Sequence, residues 1–169
     1  MINEKLEKAF NDQINAEFYS EYLYLSMLAY FERLNLQGFK NWLDVQRQEE
    51  RAHAMGLFAY LHERGGKVIL QAIEQPETDW ESPLAVFEAI LKHEQLVTSK
   101  INALMDVADE VRDRAAVSFL DWYLKEQVEE ESNVNNVLKT LKLICNDKNC
   151  LYMLDKELAT RTFVAPVIG

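Results

Sequence analysis

Six polar residues stand where an amphipathic helix would carry apolar ones, and they do so at one repeated spacing. Glu50 and His53 follow Glu17 by 33 and 36 residues (50 − 17 = 33, 53 − 17 = 36). Gln127 and Glu130 follow Glu94 by the same intervals (127 − 94 = 33, 130 − 94 = 36). The seam of a first helix reads Leu6, Phe10, Gln13, Glu17, Ser20, Tyr24, Met27, Phe31, and that of a second Phe39, Leu43, Gln46, Glu50, His53, Leu57, Tyr60. A third gives Leu84, Phe87, Leu91, Glu94, Val97, Ile101, Leu104, Ala108, and a fourth Leu120, Tyr123, Gln127, Glu130, Val134, Val137, Leu141. Alternating steps of three and four put one inward stripe on each helix. Any fold of this chain therefore has to accept ligand-type side chains at one level of a helical core.

Helix breakers are sparse, 5 Gly and 3 Pro in 169 residues, which favours few and long helices. Asn3 can cap a first helix running to about Leu34, followed by a short turn over Asn35 to Gly38. A second helix runs from about Phe39 to Arg64 and stops at Gly65-Gly66. Residues 67 to 81 hold Pro76 and little helical period, and Ser82-Pro83 is an N-cap with a first-turn proline for a third helix. That helix extends to about Val111 and a fourth to about Ile144, with a junction near Asp113 that has neither Gly nor Pro. A short fifth helix, about Asp147 to Leu158, precedes an apolar tail. Short turns make helices one and two antiparallel, and likewise three and four. The connection of about 15 residues between the hairpins can cross the bundle's length, at up to ~3.3 Å per residue. The expected fold is all-α: one domain over residues 1–169, with a four-helix bundle over about 3–144, a long crossover between helices two and three, and a short fifth C-terminal helix over about 147–158.

Charge and punctuation limit the function classes. With 28 acidic and 18 basic residues the net charge is −10 at pH 7, a field unsuited to nucleic acid or an anionic membrane and suited to cations. The opening MINEKLEKAF lacks the apolar run of a signal peptide, and no stretch approaches the roughly 20 apolar residues of a membrane span. Cys145 and Cys150 match no zinc or redox spacing and read as free thiols, so a reducing cytoplasm is expected.

The seam polar layer points to metal. Glu17, Glu50, Glu94 and Glu130 together with His53 would cost several kcal/mol per unpaired buried charge. No Lys or Arg occupies a seam position at this level to neutralise them, so bound cations are the economical explanation. Glu50-Arg51-Ala52-His53 puts carboxylate and imidazole on one face at i, i+3, where Glu50 can bridge two metals while His53 holds one of them. Mixed carboxylate and imidazole ligation suits iron or manganese better than zinc.

Glu17, the Glu50-Arg51-Ala52-His53 motif, Glu94, and Gln127 with Glu130 resemble the ferroxidase centre of non-haem ferritins, and of the bacterial ones most closely. The resemblance covers nearly the whole chain, including the crossover and the short fifth helix. It implies a homo-oligomeric shell of 24 subunits that oxidises Fe²⁺ with O₂ and stores ferric mineral inside. It implies that Glu17 and His53 hold a first iron with Glu50 bridging, that Glu94 and Glu130 hold a second, and that Gln127 hydrogen-bonds around dioxygen or water. Tyr24 is similar to the tyrosine beside that centre, although the position also suits an ordinary core aromatic. Glu49, Glu126 and Glu129 lie just off the seam; a solvated helix face is the usual meaning of such a run, and in bacterial ferritins these positions resemble a third iron site on the route to the cavity.

The departures matter as well. Haem-binding bacterioferritins carry Glu-x-x-His in the second hairpin and a methionine after the first motif's glutamate, whereas this chain has Gln127-x-x-Glu130 and Arg51. No haem is expected, and no symmetric permanent di-iron cofactor. His93 points about 100° from Glu94 on its helix and has no assigned role, and His62 is expected on the surface. Two other readings remain: a di-iron oxidase or peroxidase with a permanent cofactor, and a helical assembly module whose acidic layer is filled with water.

Overall fold

The computed structural model describes residues 2–144 and 147–168. Its elements are α1 (Glu4–Arg33), α2 (Gln37–Glu63), α3 (Pro83–Glu110), α4 (Arg114–Ile144) and α5 (Lys148–Leu158). Among the described residues there is no strand, and no helix is long and apolar enough to cross a membrane.

The starts of three helices follow from their caps. Asn3 accepts from the Lys5 amide, Ser82 from the Ala85 amide with Pro83 in the first turn, and Asp147 from the amides of Asn149 and Cys150. Between α1 and α2, Asn35 takes φ 56°, a left-handed conformation that asparagine tolerates better than most residues. Gly65 closes α2 at φ 73°. The junction between α3 and α4 is made without glycine. Arg112 takes the left-handed position at φ 57°, and Asp113 then accepts from the Ala116 amide at 3.1 Å as the cap of α4. Arg64, at the end of α2, grips the same Asp113 carboxylate through two hydrogen bonds of 2.7 and 3.1 Å. An ion pair from the neighbouring hairpin thus holds a turn that carries no local breaker.

α1 pairs with α2, α3 pairs with α4, and α1 lies beside α3. The segment between the hairpins runs along α1 from its beginning to its end, pinned by side chains of that helix. Asn11 donates to Lys67 O and accepts from the Ile69 amide, Asn15 donates to Ala72 O, Ser26 to Glu77 O, and Arg33 to Thr78 O and the Asp79 carboxylate. These contacts satisfy backbone groups that a coil cannot pair internally.

The apolar core has two halves. One contains Phe31, Phe39, Trp42, Phe87 and Leu138; the other contains Leu6, Phe10, Leu57, Leu61, Ile101 and Leu120. Each such side chain contributes roughly 1.5–3 kcal/mol when fully buried. The polar seam residues lie between the two halves.

α5 joins the first half through Leu154 and Leu158 and by an unusual capping arrangement. The residue before α2, Leu36, offers no side-chain cap. Asp155 on α5 supplies it instead: buried, it accepts from the amides of Gly38 (2.7 Å) and Phe39 (3.1 Å). The approach is so close that a Cβ on Gly38 would lie 1.5 Å from Asp155 O, which only glycine permits. This is why α2 begins at Gln37, ahead of the Phe39 start expected from the seam. Asp155→Ala should lower the unfolding free energy by about 1.5–3 kcal/mol, the range for hydrogen bonds to a charged group. Gly38→Ala should displace α5. Denaturant titration measures the first, and hydrogen exchange should show both variants losing amide protection in α5 before α1 to α4.

Candidate metal centre

The middle turns of the four long helices meet in one layer. Glu17 from α1, Glu50 and His53 from α2, Glu94 from α3, and Gln127 and Glu130 from α4 are each at most 5% exposed. Two sets of ligand atoms converge. One atom each from Glu17, Glu50 and His53 lie within 4.8 Å of one another, as do atoms of His53, Glu126 and Glu130. His53 belongs to both sets: Nδ1 is 3.9 Å from Glu50 and Nε2 3.8 Å from Glu126. Neither distance is a hydrogen bond. The ring is held from outside by edge contacts with Trp122 and Tyr123, while the Tyr123 hydroxyl donates to His53 O at 2.8 Å.

Glu94 stands apart from both sets. Its carboxylate accepts from the Tyr24 hydroxyl on one oxygen and from Gln127 Nε2 at 3.3 Å on the other. Gln127 also reaches Thr98 Oγ1 (3.2 Å) and Glu94 O (3.3 Å), so its amide is committed to α3. Tyr24, fully buried, is thus a direct donor to a carboxylate of the layer as well as a core aromatic.

Further residues hold the layer that the seam pattern alone did not single out. Gln13 donates to Glu17 at 2.7 Å, and Gln46 donates to Glu130 at 2.6 Å and to Glu50 at 3.4 Å. Both precede a carboxylate by one helical turn on the same seam, a spacing that marks them in retrospect. A base does reach the layer's edge, from outside the seams. The helix seams carry none, but Arg161 arrives from the tail beyond α5 and bonds Gln46 Oε1 (2.9 Å) and Glu49 Oε2 (2.6 Å). No periodicity runs through that tail to announce it. Of the off-seam acids, Glu126 joins His53 and Glu130, Glu49 pairs with Arg161, and Glu129 is exposed, with no hydrogen bond or ion pair among the described residues. His93 is bonded to Ser20 Oγ at 2.8 Å and packs edge-on to Tyr24, while His62 is exposed. Cys150 is a free, exposed thiol, and Cys145 lies outside the described residues.

Burial and mutual repulsion dominate the electrostatics. Burial, then the carboxylates of Glu94, Glu17 and Glu130, push Glu50 well above the ordinary carboxylate range. Burial raises Glu17 too, against the pull of His53 and the Gln13 hydrogen bond. Burial lifts Glu94 to about 7 against the Tyr24 and Gln127 bonds, and lifts Glu130 to about 7 with help from Glu94. For His53, burial pulls downward, but the surrounding carboxylates of Glu126, Glu17 and Glu130 outweigh it and raise it.

Two buried atoms of this layer, Glu17 Oε2 and His53 Nε2, have no hydrogen-bond partner. Buried polar atoms are nearly always paired, so a carboxylate oxygen and an imidazole nitrogen left free beside further carboxylates mark a place built for cations. The donors are oxygen-rich with one nitrogen and no thiolate, a set suited to iron or manganese. Such a donor set is the kind that hard divalent ions favour.

The chain matches the family model described as a ferritin-like domain over residues 7–144. It is 38% identical to the bacterial non-heme ferritin of Staphylococcus aureus over 163 residues, 96% of this chain and 98% of the relative. It is 40% identical over the same length and shares to that of Staphylococcus saprophyticus. Among solved structures it superposes on a humanized archaeal ferritin with a TM-score of 0.96 at 50% identity, covering 97% of this chain and 99% of that one. It also superposes on an open pore ferritin of the hyperthermophilic archaeon Archaeoglobus fulgidus with a TM-score of 0.94 at 50% identity, covering 96% and 100%.

The raised carboxylates make the stability of the metal-free protein depend on pH. Glu94 and Glu130 move from an ordinary 4.5 to about 7 on folding, so between those values the folded protein holds more protons than the unfolded chain. Their contribution is complete below about 4.5 and is lost as the pH rises through about 7. The thermal midpoint of metal-free protein should therefore fall between pH 5.5 and pH 8. Glu50→Gln, which removes a carboxyl that itself holds its proton to higher pH in the folded protein than in the unfolded chain, should flatten that fall, and added Co²⁺ should raise the midpoint more at pH 8 than at pH 5.5. Calorimetry across the range checks all three.

Proposed function

The chain belongs to the ferritin family, and on that premise we propose that it stores iron by oxidising Fe²⁺ with O₂ at a di-iron centre inside each subunit. Ferric product then passes to a mineral held within a homo-oligomeric shell of 24 subunits. The observation that carries the reading is the pair of unpartnered buried atoms, Glu17 Oε2 and His53 Nε2, set among four carboxylates.

In this reading Glu17 and His53 bind one Fe²⁺, Glu50 bridges, and Glu94 with Glu130 binds the second. Two divalent ions would neutralise the charge of four ionised carboxylates, removing the repulsion and displacing the protons that Glu50, Glu94 and Glu130 hold in their absence. Gln13 and Gln46 orient Glu17 and Glu130 by donating to one oxygen of each, which leaves the other oxygen for metal. Tyr24 and Gln127 orient Glu94 from either side, each donating to a different oxygen of its carboxylate. The iron is substrate as well as ligand, so the centre has to release it. Carboxylate oxygens without thiolate allow that, and Glu49, Glu126 and Glu129 on α2 and α4 would receive it on the way out. The proposal treats residues 1–169 as one domain acting in a reducing cytoplasm, which the free Cys150 thiol suits.

Glu17→Ala and His53→Ala should each slow the initial oxidation of Fe²⁺ by at least roughly 10- to 100-fold, the loss that even outer partners of a metal site produce. Tyr24→Phe, which removes a donor to Glu94 without removing a ligand, should cost less and leave Fe²⁺ binding intact. Stopped-flow absorbance and aerobic loading test the proposal together. Unchanged initial rates in both alanine variants would overturn the site. Uptake that stops at the few ions the centre itself can hold would overturn storage.

A further inference from the structure

The α2/α4 side of the layer is the open side, and the chain's own tail lies across it. Among the described residues no Cα of α2 comes within 8 Å of a Cα of α4, so only side chains such as Tyr123, Gln46, Glu126 and Glu130 span the gap. Asn41 on α2 fixes the start of the tail by donating to Leu158 O (3.2 Å) and Arg161 O (2.9 Å). Farther along, Ile168 packs so close to Gly56 that an added Cβ would meet it at 2.7 Å. At the first of these anchors the Arg161 side chain turns inward. Its guanidinium lies over the Trp42 ring at 4.6 Å, donates to Gln46 Oε1 (2.9 Å), and pairs with Glu49 Oε2 (2.6 Å), with both partners of that ion pair about one-fifth exposed.

Resting on the di-iron reading, we propose that Arg161 is a resident counter-cation at the α2/α4 mouth of the centre, and that a third metal ion can use Glu49 only by displacing it. The guanidinium and a divalent ion want the same carboxylate oxygen, and the two positive charges exclude each other at that distance. The planar fork also reaches the Gln46 amide. Gln46 Oε1 accepts from that fork and so anchors the guanidinium at the mouth, while Nε2 of the same amide bonds Glu130 and Glu50 on its own account. Arg161 is therefore a selecting residue that sets how readily iron leaves the di-iron layer for the exit acids. Trp42 and Gln46 keep it at hand, so that it can return once the ion has gone.

The test is anaerobic titration of the full-length, metal-free assembly with Co²⁺, read by calorimetry for stoichiometry and affinity. Wild type should show two tight ions per chain and a weaker third. Arg161→Gln should leave the first two in place and tighten the third by roughly 10- to 100-fold. Arg161→Lys, which keeps a competing cation, should resemble wild type, and Glu49→Gln added to Arg161→Gln should abolish the gain. The inference is overturned if Arg161→Gln binds the third ion as wild type does, if Arg161→Lys behaves as Arg161→Gln, or if the gain survives without Glu49. Loss of the first two ions in Arg161→Gln would also overturn it, since the contact would then be structural. Failure of the di-iron reading looks different: wild type itself would lack two tight ions sensitive to Glu17→Ala and His53→Ala.

Discussion

Four carboxylates and an imidazole crowded into one buried layer repel one another, and every other feature of this bundle can be understood as tolerating that layer. Burial and mutual repulsion hold Glu94 and Glu130 at about 7 and push Glu50 well above the ordinary carboxylate range. Without metal the layer survives by keeping protons and by borrowing donors from Gln13, Gln46, Tyr24 and Gln127. The stabilisation comes from elsewhere. Two aromatic-rich halves, one around Phe31, Phe39 and Phe87 and the other around Phe10, Leu61 and Leu120, clamp the layer from both ends. Long helices are needed because each must contribute to both halves and still present its polar turn in the middle. The layer is thus a strained insert in a strong core, and bound cations would relieve the strain.

The arrangement is not the symmetric one that two equal 33/36 spacings suggest. His53 lies in both clusters of ligand atoms, whereas the residue at the matching place in the second hairpin, Glu130, lies in only one. Gln127, matching Glu50, carries no charge and is bonded to Glu94 and Thr98. The second hairpin therefore contributes a carboxylate already saturated by neutral donors, and the first contributes the two atoms without partners. A difference of two side chains at equivalent spacing turns a pseudo-symmetric bundle into a layer with a tight side and a loose one.

How much of this was legible in the sequence follows from which contacts are periodic. The seams are local and repeat every three or four residues, so the helices, their antiparallel pairing and the level at which polar residues meet could all be read from residue types. The caps at Asn3, Ser82 and Asp147 are local too. What escaped depended on partners far along the chain. The turn at Arg112 and Asp113 is stabilised by Arg64, 49 residues away, and so needs no glycine. α2 starts at Gln37 because Asp155, 117 residues from Gly38, caps it. Arg161 reaches Glu49 across 112 residues from a tail with no repeat at all. Each is a single polar contact of high sequence separation, which composition and periodicity do not encode.

The placement of those long-range contacts has a consequence for how the bundle divides its labour. Asp155 and Arg161 belong to one continuous segment, and both act on α2, one at its N-terminal amides and the other beside Glu50 in its middle. The α1/α3 side, where the two hairpins do bring their backbones together, needs no such help, since the crossover is already pinned to α1 by Asn11, Asn15, Ser26 and Arg33. The α2/α4 side has no helix to seal it, because backbones brought together there would leave no room for Glu126, Glu130 and His53 to converge. A thin strap of coil with one cation can cover such a face and still yield to an ion, whereas a packed helix could not. If the layer holds metal as proposed, the C-terminal segment is part of its architecture and would link the order of α5 to the ease with which cations cross the face it covers.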